Sequence, residues 1–454
     1  MDQGERLATV EFVDRHRSGD AIWRIAWPVM VMQALYTALS VVDMFWVGRL
    51  GPVAVAAVAL GGSAHGVLFT VGQVFSIAVL ALAARAAGQG DRRGVAESAK
   101  HALLAAGLFS LAPAAAGALL SGRILALLGA TPEVVSVGAP YLAVLFGYLP
   151  VFYFGMVAYS VFQAVGDTRT PMLVTLAANV LNAVLDPVLI FGWLGFPRLG
   201  VTGAALATAA CQSAGVLVTV LVLHRRGLLG LGPGLRWRTV RTVFAVGVPA
   251  GLQAVTRPVT GMLLFGLVTG FGVAATAAFG IGLRILGVMY VYLGGLGSAG
   301  EALVGQSLGR GRPDLAVSVS RRVTVLAFLV QLAVLPLVFL FAPLVTRLFN
   351  GDPGVVRFGT EYLRVLAPVL VLLGLSTGWA SAQRGAGATG PPMYAALVSN
   401  WLVKLPVAWL LSRATGLGVT GVWVGIGVSI AVETVMVGLW YRLGNWQRKE
   451  LAWN

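Results

Sequence analysis

The chain has 454 residues, of which 58% are hydrophobic and only 11% charged, with a mean hydropathy of +0.86. A soluble domain usually carries about 25% charged residues, so the composition excludes a soluble enzyme and indicates a polytopic integral membrane protein. The net charge of +15 does not signal nucleic acid, because Lys and Arg are scattered between apolar segments rather than clustered with aromatics.

The stretch up to Asp20 is mixed-charge and lacks the apolar core and cleavage site of a signal peptide. Apolar stretches follow near 21–48, 53–84, 99–121, 134–163, 171–194 and 199–223, and after a basic connector near 241–269, 271–300, 319–349, 357–383, 391–412 and 418–441. Each is long enough for the roughly 20 residues of a bilayer crossing. The sequence thus predicts an all-α membrane protein with twelve transmembrane helices and both termini on one side. Of the 32 Lys and Arg residues, only Arg49, Arg123, Arg198, Arg347, Arg357 and Arg413 fall in loops on the side opposite the termini, whereas Arg6, Arg15, Arg17 and most others fall on the terminal side. That bias places both termini in the cytoplasm.

Shifting the sequence by 221 positions superposes Pro28 on Pro249, Gly51 on Gly272, Gly61 on Gly282, Gly88 on Gly309, Tyr141 on Tyr362 and Asn179 on Asn400. A single shift that fits markers along the chain reveals two six-helix repeats, parallel because six is even. The expected organisation is a cytoplasmic segment 1–20, an N-lobe 21–223, a cytoplasmic linker 224–240, a C-lobe 241–443 and a cytoplasmic tail 444–454.

The fifth stretch carries Thr175, Asn179, Asn182 and Asp186 at spacings of four, three and four, which draws one polar stripe down a helix. A second stripe in the first stretch runs Gln33, Tyr36, Ser40 and Asp43, and these four are candidate substrate-cavity residues. An ionisable residue at membrane depth normally faces a cavity or a partner. From the helical rise, Asp186 lies about 22 Å beyond Pro171 and Asp43 about 30 Å beyond Ile22, so the two can share one pocket. The repeat places Val407 and Leu264 opposite them, so the acids belong to the first repeat alone. Two carboxyls with amides that can donate or accept suit a proton relay, and equally a Na⁺ site built from oxygens. Arg284 and Lys404 can counter these acids or snorkel to an interface. Glu301 and Glu361 are expected near span ends, where solvation accounts for them. Phe152, Tyr153, Phe154, Met156, Met262, Met289 and Tyr290 are candidates for an adaptable pocket lining. The lone Cys211 can build neither a disulfide nor a metal cluster.

The runs VVDMFWVGRLGPVAVAAVALG, QAVGDTRTPM, NAVLDPVLIFG, LGVTGAALATA and VGQSLGRGRPDLA resemble the multidrug and toxic compound extrusion (MATE) family, most closely its DinF-like prokaryotic branch. The resemblance covers essentially the whole chain. It implies a V of two bundles that exports organic, often cationic and amphipathic, compounds in exchange for H⁺ or Na⁺, with no other cofactor. It assigns cation coupling to Asp43, Asn182 and Asp186, with Tyr141 and Thr208 as further candidates; Asn179 joins them from the polar stripe, and Asp43, Asn182 and Asp186 are the alternative ligands for Na⁺. Pro28 matches a first-helix hinge. The partners implied are drug-like organic cations and membrane lipids, with no nucleic acid, for a functional monomer in the cell (inner) membrane. The chain departs from its relatives at Tyr159, where some carry asparagine, and in the seventh span, which holds Arg257 and no acid. A flippase for lipid-linked oligosaccharides or peptidoglycan precursors is the alternative; it would call for a cationic cavity, for which Arg257, Arg284 and Lys404 are candidates.

Overall fold

The computed structural model describes residues 18–230 and 236–450. The charges at Arg6, Arg15 and Arg17, most of segment 1–20, linker residues 231–235 and the last four residues of the tail lie outside these.

Among the described residues twelve helical segments are long and apolar enough to cross a membrane. In the first repeat they are α1 (Ser18–Gly48), α2 (Pro52–Gly88), α3 (Arg92–Leu127), α4 (Pro132–Ala164), α5 (Arg169–Phe191) and α6 (Val201–Arg225). In the second they begin with α7 (Trp237–Thr269), α8 (Val273–Gly309) and α9 (Pro313–Leu340). A short α10 (Ala342–Phe349) then precedes α11 (Pro353–Gly385). The eleventh span is α12 (Gly390–Leu397), a π-helical stretch Val398–Lys404 and α13 (Leu405–Ala414), and the last is α14 (Val419–Leu443). Helices suit this setting because each satisfies its own backbone in hydrocarbon. Their ends are marked by residues that fit helix termini: Pro opens α2, α4, α9 and α11, where a missing N–H costs nothing. Asp91 and Asp352 cap α3 and α11 by accepting from Gly94 N (2.9 Å) and Val355 N (3.0 Å).

The structure divides two of the expected spans. The ninth, read as one run over 319–349, stops at Leu340 and restarts as α10, because Pro343 disfavours a continuous helix through Ala342. The eleventh widens into π geometry immediately before Leu405-Pro406, where the proline has no N–H to donate to the preceding turn.

The repeat is visible in the backbone. Gly51 and Gly272 adopt φ 107° and 101°, Gly90 and Gly311 73° and 70°, and Gly166 and Gly387 83° and 76°. Gly61 and Gly282 make room for equivalent tyrosines: a Cβ there would stand 2.7 Å from Tyr141 Cε1 and 2.2 Å from Tyr362 Cε1. The shift shortens at the last span of each repeat, where LGVTG recurs at Leu199 and Leu417, and its first glycines share φ 56° and 57° with ψ −135° and −136°.

The chain forms two compact units, one of Pro28–Gly247 and the other of the described residues up to Trp27 together with those from Val248 onward. In the first, α4 is central and packs on α2, α3 and α6, while α5 pairs with α6. Its core includes Val47, Val58, Leu142, Phe146, Ile190 and Val201. In the second, α11 takes the equivalent place against α8, α9 and α14. Trp423 anchors that core, with its ring edge-on to Tyr362 at 4.8 Å and stacked on Phe279 at 5.6 Å.

Candidate functional site

The site in the first unit begins with the hairpin of α5 and α6. Gly192, at φ 77°, ends α5 in the left-handed conformation that glycine tolerates without a Cβ clash. Leu199 N and Gly200 N then donate back to Leu189 O and Ile190 O, at 3.1 Å each. Gly203 packs directly on that turn, where a Cβ would lie 2.5 Å from Leu189 O. This close register sets Thr208 of α6 opposite Asn182 of α5.

A polar chain follows from that placement. Asn182 Nδ2 donates to Asp186 Oδ1 (3.2 Å) and to Thr208 Oγ1 (3.3 Å), and Thr208 Oγ1 donates to Asp43 Oδ2 (3.4 Å). The two carboxyls from α1 and α5 neighbour one another. Asn182 and Asp186 are fully buried. One turn along, Asn179 Nδ2 donates to Leu35 O (2.7 Å), and Gln212 Nε2 donates to Asn179 Oδ1 (3.1 Å). Asp43 Oδ1, Asp186 Oδ2 and Asn182 Oδ1 are buried without a hydrogen-bond partner. Ionised carboxyls can only accept, so a proton on one acid would give the other a donor.

A cavity of about 560 Å³ opens beside this chain. Tyr36, Ser40, Asp43, Tyr141 and Thr208 line it. Asp186, Asn182 and Asn179 lie behind the wall, and Gln33 is outside the lining, one turn before Tyr36. Pro28 stands fifteen residues before Asp43 on α1 and does not join the site. Phe152 and Met156 supply an apolar wall, together with Tyr148 and Tyr159. No lysine or arginine lines the cavity among the described residues.

The remaining aromatic and Met candidates do other work. Tyr153 is buried and donates to Leu68 O (2.9 Å); Phe154 packs over Gly107. Met289 is core, Met262 is exposed, and Tyr290 lies under the Arg257 guanidinium at 5.5 Å. Cys211 is buried in α6.

Gln212 is a site residue that sequence reasoning missed. It follows Thr208 by four residues in an apolar run, so the spacing rule that found the stripe on α5 applies to it as well. The Leu35 carbonyl had no comparable signal, since every residue carries one.

The second unit holds a different polar cluster. Arg257 Nη2 of α7 pairs with Glu433 Oε1 of α14 at 2.6 Å. Glu433 Oε2 accepts from Ser399 Oγ (3.3 Å) and Asn400 Nδ2 (3.5 Å) in the π stretch. Lys404 Nζ bonds Asn400 Oδ1 and also donates to Thr260 Oγ1 at 3.4 Å. Arg284 is exposed. Glu301 corrects the expectation of a solvated span end: it is buried and accepts from Arg384 Nε at 2.7 Å. Glu361 accepts from the Thr420 hydroxyl.

A family model described as MatE matches residues 28–188 and 249–410. The "Probable multidrug resistance protein NorM" of Bradyrhizobium diazoefficiens is 32% identical, with 92% of each chain covered. Its Thermotoga maritima namesake is 28% identical, over 94% of this chain and 92% of the relative. Among solved structures, an outward-facing multidrug resistance MATE family transporter of the MOP superfamily aligns with TM-score 0.88 at 24% identity, covering 99% of this chain and 100% of that one. A MATE in the bent conformation aligns with TM-score 0.89 at 23% identity, covering 97% and 98%. These likenesses bear on the fold.

Proposed function

The chain belongs to the MatE family, and from that premise we propose that it is a multidrug efflux antiporter, exporting organic, cationic and amphipathic compounds in exchange for H⁺ by alternating access in the cell (inner) membrane. The observation that carries this reading is the chain Asp43–Thr208–Asn182–Asp186 at the wall of an aromatic, methionine-containing cavity. Asp43 faces the cavity and can meet a cationic substrate. Asp186, shielded behind it, can hold the proton. Desolvation and like charge both disfavour two ionised carboxyls side by side, so protonation and a bound cation compete for the same pair. Exchange requires that substrate and proton favour different conformations, because a ligand with equal affinity for both states shifts nothing.

Na⁺ is the second reading, favoured by the three unpartnered buried oxygens of Asp43, Asn182 and Asp186. One shared proton serves the two carboxyls and leaves the amide oxygen unmet, whereas a small hard cation accepts all three. The flippase alternative has less support, since a pyrophosphate-bearing substrate calls for a cationic cavity and this one is lined by an acid without lysine or arginine.

Efflux of a fluorescent lipophilic cation from proteoliposomes under separate H⁺ and Na⁺ gradients tests the proposal. Wild type should respond to the H⁺ gradient, and Asp186→Asn should lose gradient-driven transport while still binding the dye. Transport driven by Na⁺ alone would reassign the same oxygens to a metal ion, and gradient-independent movement that is unchanged in Asp186→Asn and Asp43→Asn would overturn the antiport reading.

A further inference from the structure

Nine spans precede the turn between α10 and α11, so it opens on the membrane side away from both chain ends. A cavity of about 760 Å³ there is lined by Arg347 of α10 and by Arg357, Thr360, Glu361 and Arg364 of α11, with Pro353 at the start of that helix. Three guanidinium groups thus face one carboxylate. Among the described residues no ion pair joins any of the three to an acid, and Glu361 is engaged by Thr420 instead. Arg364 donates only weakly to Phe339 O (3.4 Å) and lies 5.7 Å over that ring, while Arg357 lies 5.9 Å over Phe358. Thr360 Oγ1 is buried and has no hydrogen-bond partner.

Cationic side chains are depleted on the outer side of membrane proteins, and a snorkelling arginine needs only its own stretch of lipid interface. Snorkelling does not account for arginines from two helices converging on one cavity that also holds an orphaned hydroxyl. A guanidinium matches phosphate oxygens with two parallel N–H donors. Leu344, Leu348 and Phe349 of α10 are exposed beside the cavity, an apolar rim of the kind that acyl chains cover. We propose that this cavity binds a phosphate group, carried by an anionic phospholipid headgroup or free in solution.

The full-length protein in neutral detergent tests this by native mass spectrometry with phosphatidylglycerol, with diacylglycerol as the phosphate-free control, and by thermal melting with inorganic phosphate. Phosphatidylglycerol should be retained over diacylglycerol. Its affinity should fall about tenfold or more in Arg347→Gln and in Arg364→Gln, as expected for loss of one charge-assisted contact. Thr360→Val, close in shape and neutral, should weaken retention less and leaves the arginines in place should either of those variants fold poorly. Stabilisation by phosphatidylglycerol but not by inorganic phosphate assigns a lipid ligand, and stabilisation by inorganic phosphate alone assigns a soluble one. Retention of diacylglycerol equal to phosphatidylglycerol, or phosphate and lipid binding unchanged in all three variants, overturns the proposal.

Discussion

Asp167, in the turn between α4 and α5, accepts from Thr170 Oγ1 (2.6 Å), Thr170 N (3.0 Å) and Arg226 Nη1 (2.5 Å). Burial pushes its carboxyl up, but these hydrogen bonds and the guanidinium outweigh burial and hold it below its ordinary 3.8. A depressed value means that the contribution to stability is full above the unfolded-state value and is lost as pH falls through the folded one. Asp167→Asn should therefore lower the melting temperature of the purified protein at neutral pH. The gap from wild type should close as pH drops below about 3.9. With both partners about a third exposed, the loss should be about 1 kcal/mol or less. A gap that stays constant with pH would refute the charge-based account. Asp186 contrasts with it: its hydrogen-bond donor is an amide, and no arginine or lysine lines the adjoining cavity. The sequence marks this difference, since Asp167 sits beside Thr168, Arg169 and Thr170 while Asp186 lies in an apolar run.

At the scale of the helix, the second unit shows what spacing can and cannot reveal. Spaced three and four residues apart, Asn179, Asn182 and Asp186 are all buried on α5, which stays α-helical through them. Over Val398–Lys404 the π register shifts side chains from their α-helical positions. Ser399 and Asn400 both reach Glu433 although they are adjacent in sequence. The pairing of Arg257 with Glu433 was not legible, since a contact across 176 residues leaves no periodic trace. The ion pair is asymmetric: the side chain of Glu433 is 8% exposed and that of Arg257 35%. Removing the acid strands two cations, Arg257 and Lys404, at membrane depth. Glu433→Gln should lower thermal stability by about 3 kcal/mol, the low end for a broken buried pair because Arg257 is partly solvated. Arg257→Gln combined with Glu433→Gln should recover most of that loss. Failure of the double variant to recover would mean that Glu433 acts through Ser399 and Asn400 rather than through the arginine.

Across the whole molecule, the units change over at equivalent places in the repeat. One boundary falls between Trp27 and Pro28 in α1 and the other between Gly247 and Val248 in α7, two residues before Pro249. The first helix of each repeat therefore starts in one unit and continues in the other. Hydropathy and the glycine and proline markers made the twelve spans and the repeat legible, but this exchange depends on long-range packing, which a linear pattern does not encode. In α1 the segment before the boundary is fixed, with Ala21, Ile22, Ile25 and Ala26 fully buried, while Tyr36, Ser40 and Asp43 line the cavity beyond it. Pro28 has no N–H to donate to the carbonyl four residues earlier and so is a natural point of bending. In α7 the same geometry precedes Leu264 in place of an acid. If bending at the proline repositions the cavity acid during the cycle, Pro28→Ala should slow gradient-driven efflux several-fold while leaving dye binding near wild type, the pattern of a slowed conformational step. Pro249→Ala should have a smaller effect on the dependence of transport on the ion gradient, because no acid lies downstream of it. Equal losses in the two variants would assign both prolines to exchange of helix ends between units, and an unchanged rate in Pro28→Ala would remove the hinge from the mechanism.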